Sequence, residues 1–316
     1  MDVSIIIPTK NREHVIERAI NSVYNQTVKN IELIVVDDGS SDNTSKILQK
    51  YINNEKVPFS YIKNNVSVGG AVARNQGAEI AKGKFIAFLD SDDEWKSDHL
   101  QSGLEKLKTL NGDGVYGNFN VINNNFKRNF NRKLQPKPKD ISFAEYILSG
   151  LGDTRTSTFI FKKNCFDKVK FDNKQAKHQD WDLAIRFSEA NNFIFNDNTS
   201  VNLYEDIDNR MSYKMNHEAT GYFLSKHFNK IKNITASKFY LSLAKNTLVL
   251  EGKNNEFYKY KKESIISLTK DNEKRGIEVV KIYLQHCSLS IPREIFISLK
   301  FIKQNLKKVK NMLFRS

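Results

Sequence analysis

Three aspartates, Asp90, Asp92 and Asp93, surround a single serine, Ser91, directly after the apolar run Phe85-Ile86-Ala87-Phe88-Leu89. Carboxylates this close disfavour one another's charge unless something positive sits among them. A hard divalent cation held by oxygens is the occupant that such a cluster suits. An isolated Asp-x-Asp also occurs as a solvated turn that closes a strand, so the rest of the chain has to decide between the two. Two further acidic groups bear on that decision. Asp37 and Asp38 end a second apolar run, Ile31 to Val36, and Asp180 and Asp182 flank Trp181 just after His178 and Gln179.

The elements that must hold these groups can be read from hydrophobic period. Residues 3–8 and 31–36 are short apolar runs, the pattern of buried strands in a parallel sheet. Between them Val15, Ile16, Ala19, Ile20 and Val23 recur at helical spacing, which predicts a crossover helix over 13–26. The second strand runs into Asp37-Asp38-Gly39-Ser40-Ser41-Asp42, and a helix follows from about residue 43. Carboxylates and a glycine at the carboxyl end of a parallel strand lie where open α/β sheets bind ligands. A further helix opens at Gly69 and Gly70 and carries Arg74, whose guanidinium can face a diphosphate, before the strand that delivers Asp90. Near Asp180 an amphipathic helix is expected, with Leu183, Ile185 and Phe187 packing behind it and Trp181 in the core.

In order along the chain stand Ser4-Ile5-Ile6-Ile7-Pro8-Thr9 with Asn11-Arg12, Arg18-Ala19-Ile20 with Ser22-Val23 and Gln26-Thr27, and Val35-Val36-Asp37-Asp38-Gly39-Ser40-Ser41-Asp42. Ala73-Arg74-Asn75-Gln76-Gly77, Leu89-Asp90-Ser91-Asp92-Asp93 and Asp180-Trp181-Asp182-Leu183 follow. Together these stretches resemble the inverting, GT-A-type glycosyltransferases of family 2, over residues 3 to about 212. The resemblance implies an α/β fold of GT-A type and sugar transfer from a nucleotide donor, most often a UDP-sugar. It makes Asp38 the carboxylate that reads a base N–H, with Pro8, Thr9 and Arg12 lining the pocket, Arg74 and Ser91 on the nucleotide, and Asp90 near the ribose. Asp92, with Asp93 as a second participant, would bind Mn²⁺ or Mg²⁺. Asp180 would be the general base toward the acceptor hydroxyl, supported by Asp182 and Gln179.

This chain departs from the family pattern in several places. Gln179 replaces a glutamate, Lys10 stands where many relatives carry an aromatic, and Lys170 stands where relatives often have glycine. His217 is the only nearby candidate for a third metal ligand and is read as a surface residue. Arg210-Met211-Ser212 resembles an element of the family's last core loop. Gln179 also supports the alternative of a non-catalytic sugar-binding relative acting as a scaffold.

Charge divides the chain. Residues 1–220 hold 30 Lys and Arg against 29 Asp and Glu, whereas residues 221–316 hold 20 against 7. A boundary near residue 220 follows, with a catalytic domain over 1–220 and a mainly helical basic extension over 221–316. A balanced first domain, and a tail without aromatic-basic recognition motifs, argue against nucleic acid as a partner. In the tail Ile295, Leu299, Ile302, Leu306, Val309 and Leu313 recur at intervals of four and three, with seven basic residues against one acidic over 292–316. Such a helix either packs on its own protein or lies on an anionic membrane surface. No apolar stretch reaches 18 residues, the start lacks a basic secretion region, and Cys165 and Cys287 suggest buried thiols. The expected location is therefore cytoplasmic, with peripheral attachment to the inner face of the membrane open, and the acceptor implied by the resemblance is a glycan or lipid-linked glycan.

Overall fold

The computed structural model describes residues 1–52, 56–123, 128–205 and 215–269, together with 282, 285, 286 and 289. They form two compact units: the first starts at Met1 and takes in Glu218–Ser225, and the second runs on from Lys226. The last amphipathic stripe, Arg210-Met211-Ser212 and Cys287 lie outside the described residues.

The first unit is built on a mostly parallel sheet. β1 (Val3–Thr9), β2 (Ile31–Asp37), β3 (Phe59–Lys63) and β4 (Phe85–Phe88) pair in parallel, and the full order places β10 (Phe193–Asn196), β6 (Gly114–Gly117) and β9 (Ile160–Lys162) beyond β4. β9 runs antiparallel to both its neighbours. Every residue of β1 and β2 is buried, which is why both read as unbroken apolar runs. One face meets α1 (Ile16–Tyr24) through Ile16, Ala19, Ile20 and Val23. Across the other face lies α3 (Gly70–Ile80), so near that a Cβ on Gly77 would stand 2.6 Å from Ile6 Cγ2. Glycine is required there to let helix and sheet approach.

α1 begins at Ile16, three residues later than its apolar period suggests. Residues 11–13 are used instead to clasp the next loop. Asn11 takes a left-handed φ of 52°, its N–H donates to Ser40 Oγ and its Oδ1 accepts from Ser41 N. Glu13 N donates to Asp42 Oδ2, and Glu13 Oε2 accepts from Asn43 N and Nδ2. These bonds outcompete a longer helix because they satisfy two loops at once.

A second, smaller sheet has the order β5 (Glu94–Trp95), β11 (Val201–Tyr204), β7 (Phe119–Asn123) and β8 (Arg128–Arg132). Trp95, Val201, Leu203, Phe119 and Val121 turn one face of it into the core. α2 (Thr44–Gln49), α4 (His99–Thr109), α5 (Phe143–Leu148), α6 (Lys163–Val169) and α7 (Gln179–Ala190) complete the layers. α8 (His217–His227) follows.

In the second unit α9 (Asn233–Leu250) and α10 (Asn255–Thr269) pack as a pair around Leu241, Ala244, Leu248, Phe257, Tyr260 and Leu268. His217 spans its end, contacting Tyr260 Oη and Glu251 Oε2 at 2.9 Å each. Among the described residues no helix is long and apolar enough to cross a membrane.

Candidate active site

The carboxyl ends of β1, β2 and β4 converge with the start of α7. At the end of β2, Asp37 is fully buried and structural, accepting from Ser40 N, Ser45 Oγ and Tyr61 Oη. Asp38 faces the other way. Its Oδ1 accepts from Val68 N at 2.7 Å and Asn64 Nδ2 at 3.1 Å, and its Oδ2 from Ser67 Oγ at 2.6 Å and Gly69 N at 2.9 Å. Burial opposes the charge, yet these bonds together hold the carboxyl below its usual range. Pro8 and Thr9 end β1 beside it, with Asp38 N donating to Thr9 O.

The aspartate cluster is split by its surroundings. Asp90 Oδ1 accepts from Arg74 Nη2 at 2.6 Å, while Asp90 N donates to Ser157 Oγ. Asp93 is 2% exposed and its Oδ2 accepts from the same Ser157 hydroxyl at 2.6 Å. Ser91 is buried beneath them. Asp92 keeps part of its side chain accessible, 3.9 Å from the Arg12 guanidinium, and its carbonyl accepts from Arg18 Nη2.

α7 supplies the rest. Gln179 Oε1 accepts from Arg74 Nη1 at 2.7 Å, so Arg74 bridges the helix start to Asp90. An amide accepts this bond as a glutamate would but adds no second negative charge beside the Arg74–Asp90 pair. Asp180, in the first turn, is pushed up to about 6. Burial is the main cause; Arg155 opposes it, and Asp153 and Asp90 add to it. Asp153 ties the surroundings together, with Oδ2 accepting from Arg155 Nη2 at 2.8 Å and Oδ1 from Trp181 Nε1 at 3.4 Å. Trp181, expected in the core, is partly exposed because it turns toward Asp153 and stacks on His178 at 5.0 Å. His178 caps the helix start at φ 62°, donates to or accepts from Thr220 Oγ1, and is held by burial, then by Lys177, near a pKa of about 4.

Asp182 does not join this group. It is fully buried and paired to Arg186, whose guanidinium also donates to Val169 O and Lys170 O at the end of α6. Lys170 there adopts φ 48°, which explains why glycine suits this position. Cys165 is partly exposed rather than a buried thiol.

Among the described residues no three His, Cys, Asp or Glu side chains gather as a metal cage. Asp92 with donor phosphates and water is nonetheless the set a hard cation uses when substrate completes its shell. The Nε groups of Arg18, Arg74 and Arg155, and the hydroxyls of Thr9 and Thr154, are buried without a hydrogen-bond partner. Arg18, Asp153, Arg155 and Ser157 were not among the residues expected from sequence. Asp153 and Arg155 sit in an unpatterned loop, where the one available signal was an Asp-x-Arg just before an apolar strand.

A sequence model described as glycosyl transferase family 2 matches residues 4–170. The chain is 32% identical over 193 residues to the amylovoran biosynthesis glycosyltransferase AmsB of Erwinia amylovora, covering 58% of this chain and 62% of that one. It is 44% identical over 124 residues to an Escherichia coli protein, the UDP-Glc:alpha-D-GlcNAc-diphosphoundecaprenol beta-1,3-glucosyltransferase WfgD, covering 39% and 47%. Each match thus spans less than two thirds of the relative. The crystal structure of S. aureus TarS in complex with UDP-GlcNAc superposes with a TM-score of 0.68 at 18% identity, covering 95% of this chain and 92% of that one.

Proposed function

Because the chain belongs to glycosyl transferase family 2, we propose that it transfers a sugar, with inversion, from a nucleotide-diphosphate donor to a hydroxyl of a glycan acceptor. The observation that carries this reading is the carboxyl of Asp180. It is raised to about 6, sits in the first turn of α7, and shares its surroundings with the Arg74–Asp90 pair. A base with that value is ionised at neutral pH and still basic enough to take a proton.

Asp38 accepts a ring N–H from the base in exchange for one of its side-chain donors, Ser67 Oγ or Asn64 Nδ2, and the ribose lies toward Asp90. Arg74, with Arg12, meets the diphosphate and stabilises the charge that grows on it as the bond to the anomeric carbon breaks. Asp180 removes the proton of the acceptor hydroxyl as its oxygen attacks the opposite face of that carbon, which inverts the configuration. Asp92, with Asp93 as a second participant, would hold Mn²⁺ or Mg²⁺, which neutralises leaving-group charge when bound.

A UDP-sugar is the favoured donor, since the E. coli relative is named for UDP-Glc and for an acceptor on diphosphoundecaprenol. A lipid-linked acceptor in surface polysaccharide synthesis would place the enzyme on the inner face of the cytoplasmic membrane. The basic residues 292–316 suit contact with an anionic leaflet. Salt-sensitive cosedimentation with anionic vesicles, lost on removing 292–316, is the expected sign.

The deciding experiment is a screen of nucleotide sugars for donor hydrolysis with and without metal. Hydrolysis of a UDP-sugar that stops in excess EDTA, and stops in Asp92→Ala, is expected. Hydrolysis of no donor would end the reading, and full turnover in EDTA would remove the metal from it.

A further inference from the structure

The outward face of the small sheet carries a row of polar side chains. Strand register fixes which residues share it: Glu94 pairs with Asn202, Asn202 with Asn120, Tyr204 with Ile122, Asn120 with Asn131, and Ile122 with Asn129. Paired residues point to the same side. Across β11 and β7 one side is apolar and buried, whereas the other side of the sheet presents four asparagines, a glutamate, a tyrosine and Ile122. Asparagine is depleted in strands, and four of them at alternating positions across three strands is not what sheet stability selects.

These groups are joined. Asn120 Nδ2 donates to Asn202 Oδ1 at 2.9 Å, Asn202 Nδ2 donates to Glu94 Oε2 at 3.0 Å, and Tyr204 Oη donates to the same oxygen at 2.9 Å. At one end Arg18 stacks 3.5 Å above the Tyr204 ring while donating to Asp92 O, so the row runs on from the aspartate cluster. At the other end Asn120, Ile122, Asn129, Phe130 and Asn131 line an open hollow of about 290 Å³. Phe130 is 50% exposed.

The geometry points to this face as a binding site for an uncharged oligosaccharide, the part of the acceptor that lies behind its reacting end. An amide offers donors and an acceptor together, as a sugar hydroxyl does, and so pairs with sugars of either orientation. Ile122 supplies apolar surface for the C–H face of a ring, whereas Phe130, paired with Val121, closes the hollow from the strand's other side. Glu94 is occupied by Asn202 and Tyr204, and the described residues that register places on this face at the hollow, Asn120, Ile122, Asn129 and Asn131, carry no charge, so the hollow itself selects no charged glycan. The continuity through Arg18 to Asp92 is what makes the occupant an acceptor; that identification rests on the proposed transfer reaction, and the binding itself does not.

The test is retention of the full chain on an array of linear uncharged oligosaccharides of glucose, galactose and their N-acetylated amino sugars, with donor hydrolysis measured in parallel. Retention on a subset of the array is expected. The double variant Asn129→Ala/Asn131→Ala should lose it by tenfold or more, with donor hydrolysis and melting temperature unchanged. Retention of no uncharged glycan, retention of charged ones only, or equal retention by the variant would each overturn the proposal. Retention lost in the variant, with donor hydrolysis absent in both proteins, would uphold this site and sink the transfer reaction instead.

Discussion

Two carboxylates a short distance along different elements are treated in opposite ways. Asp38 is surrounded by four donors, two of them backbone N–H groups of the loop before α3, and is held below the ordinary value. Asp180 has one local donor, the N–H of Trp181, and is raised to about 6 mainly by burial. Donors fix a charge in place, whereas their scarcity lets a proton come and go. A permanently charged acceptor suits reading a base, and a carboxyl that titrates near neutrality suits catalysis.

The sharpest way to break this contrast is to remove each group's chemistry without its bulk. Asp180→Asn should fold, bind UDP and lose transfer by about 10²- to 10⁴-fold in single-turnover assays. If Asp182→Asn, which takes the buried carboxylate from the partly exposed Arg186, loses transfer with a normal melting curve while Asp180→Asn remains active, the base has been misplaced.

Asp38→Ala should erase a preference for UDP over GDP and ADP in thermal protection, about tenfold in affinity for a charge-assisted bond. Equal protection by all three in the parent protein would refute base reading at Asp38.

Titration separates the two further. Activity requires Asp180 ionised, so kcat/KM should rise with pH through about 6 and level off above it. Gln179→Glu sets another carboxylate beside it and should move that limb to higher pH. A limb unmoved by this substitution would mean that a different group titrates.

Stability should change in opposite directions. The raised Asp180 favours folding below the unfolded carboxyl value and loses that contribution as pH rises through about 6, so Asp180→Asn should stabilise at pH 7 and little at pH 4. The lowered Asp38 contributes above the unfolded value and loses that as pH falls, so Asp38→Ala should destabilise at pH 7 and less in acid. About 1 kcal/mol is expected for Asp180, since solvent screens a half-buried group. Melting curves at the two pH values decide it.

Much of this site was legible because it hangs on regular elements. β1 and β2 announce themselves as apolar runs, and Asp38 must follow the second; Arg74 is placed by a glycine-opened helix. Gln179 was legible as a departure, but its bond to Arg74 spans 105 positions and has no sequence signature. Asp182 and Asp180 are equally acidic and two residues apart; only the packing of Arg186 against the end of α6 tells that one is structural. Trp181 was misjudged for the same reason, since its partner Asp153 lies in a loop without period.

The clasp between residues 11–13 and 40–43 has a kinetic consequence. Asn11 and Glu13 rivet the turn after β1 to the turn after β2, so Arg12, between them, shares one rigid body with Asp38. Arg12 also stands 3.9 Å from Asp92. A base that seats badly on Asp38 would then tilt the arm that reaches the diphosphate, and the mismatch would register as slow departure of the leaving group as well as weak capture. Cutting the rivet at Asn11 should let a wrong nucleotide turn over nearly as fast as the right one once it is bound.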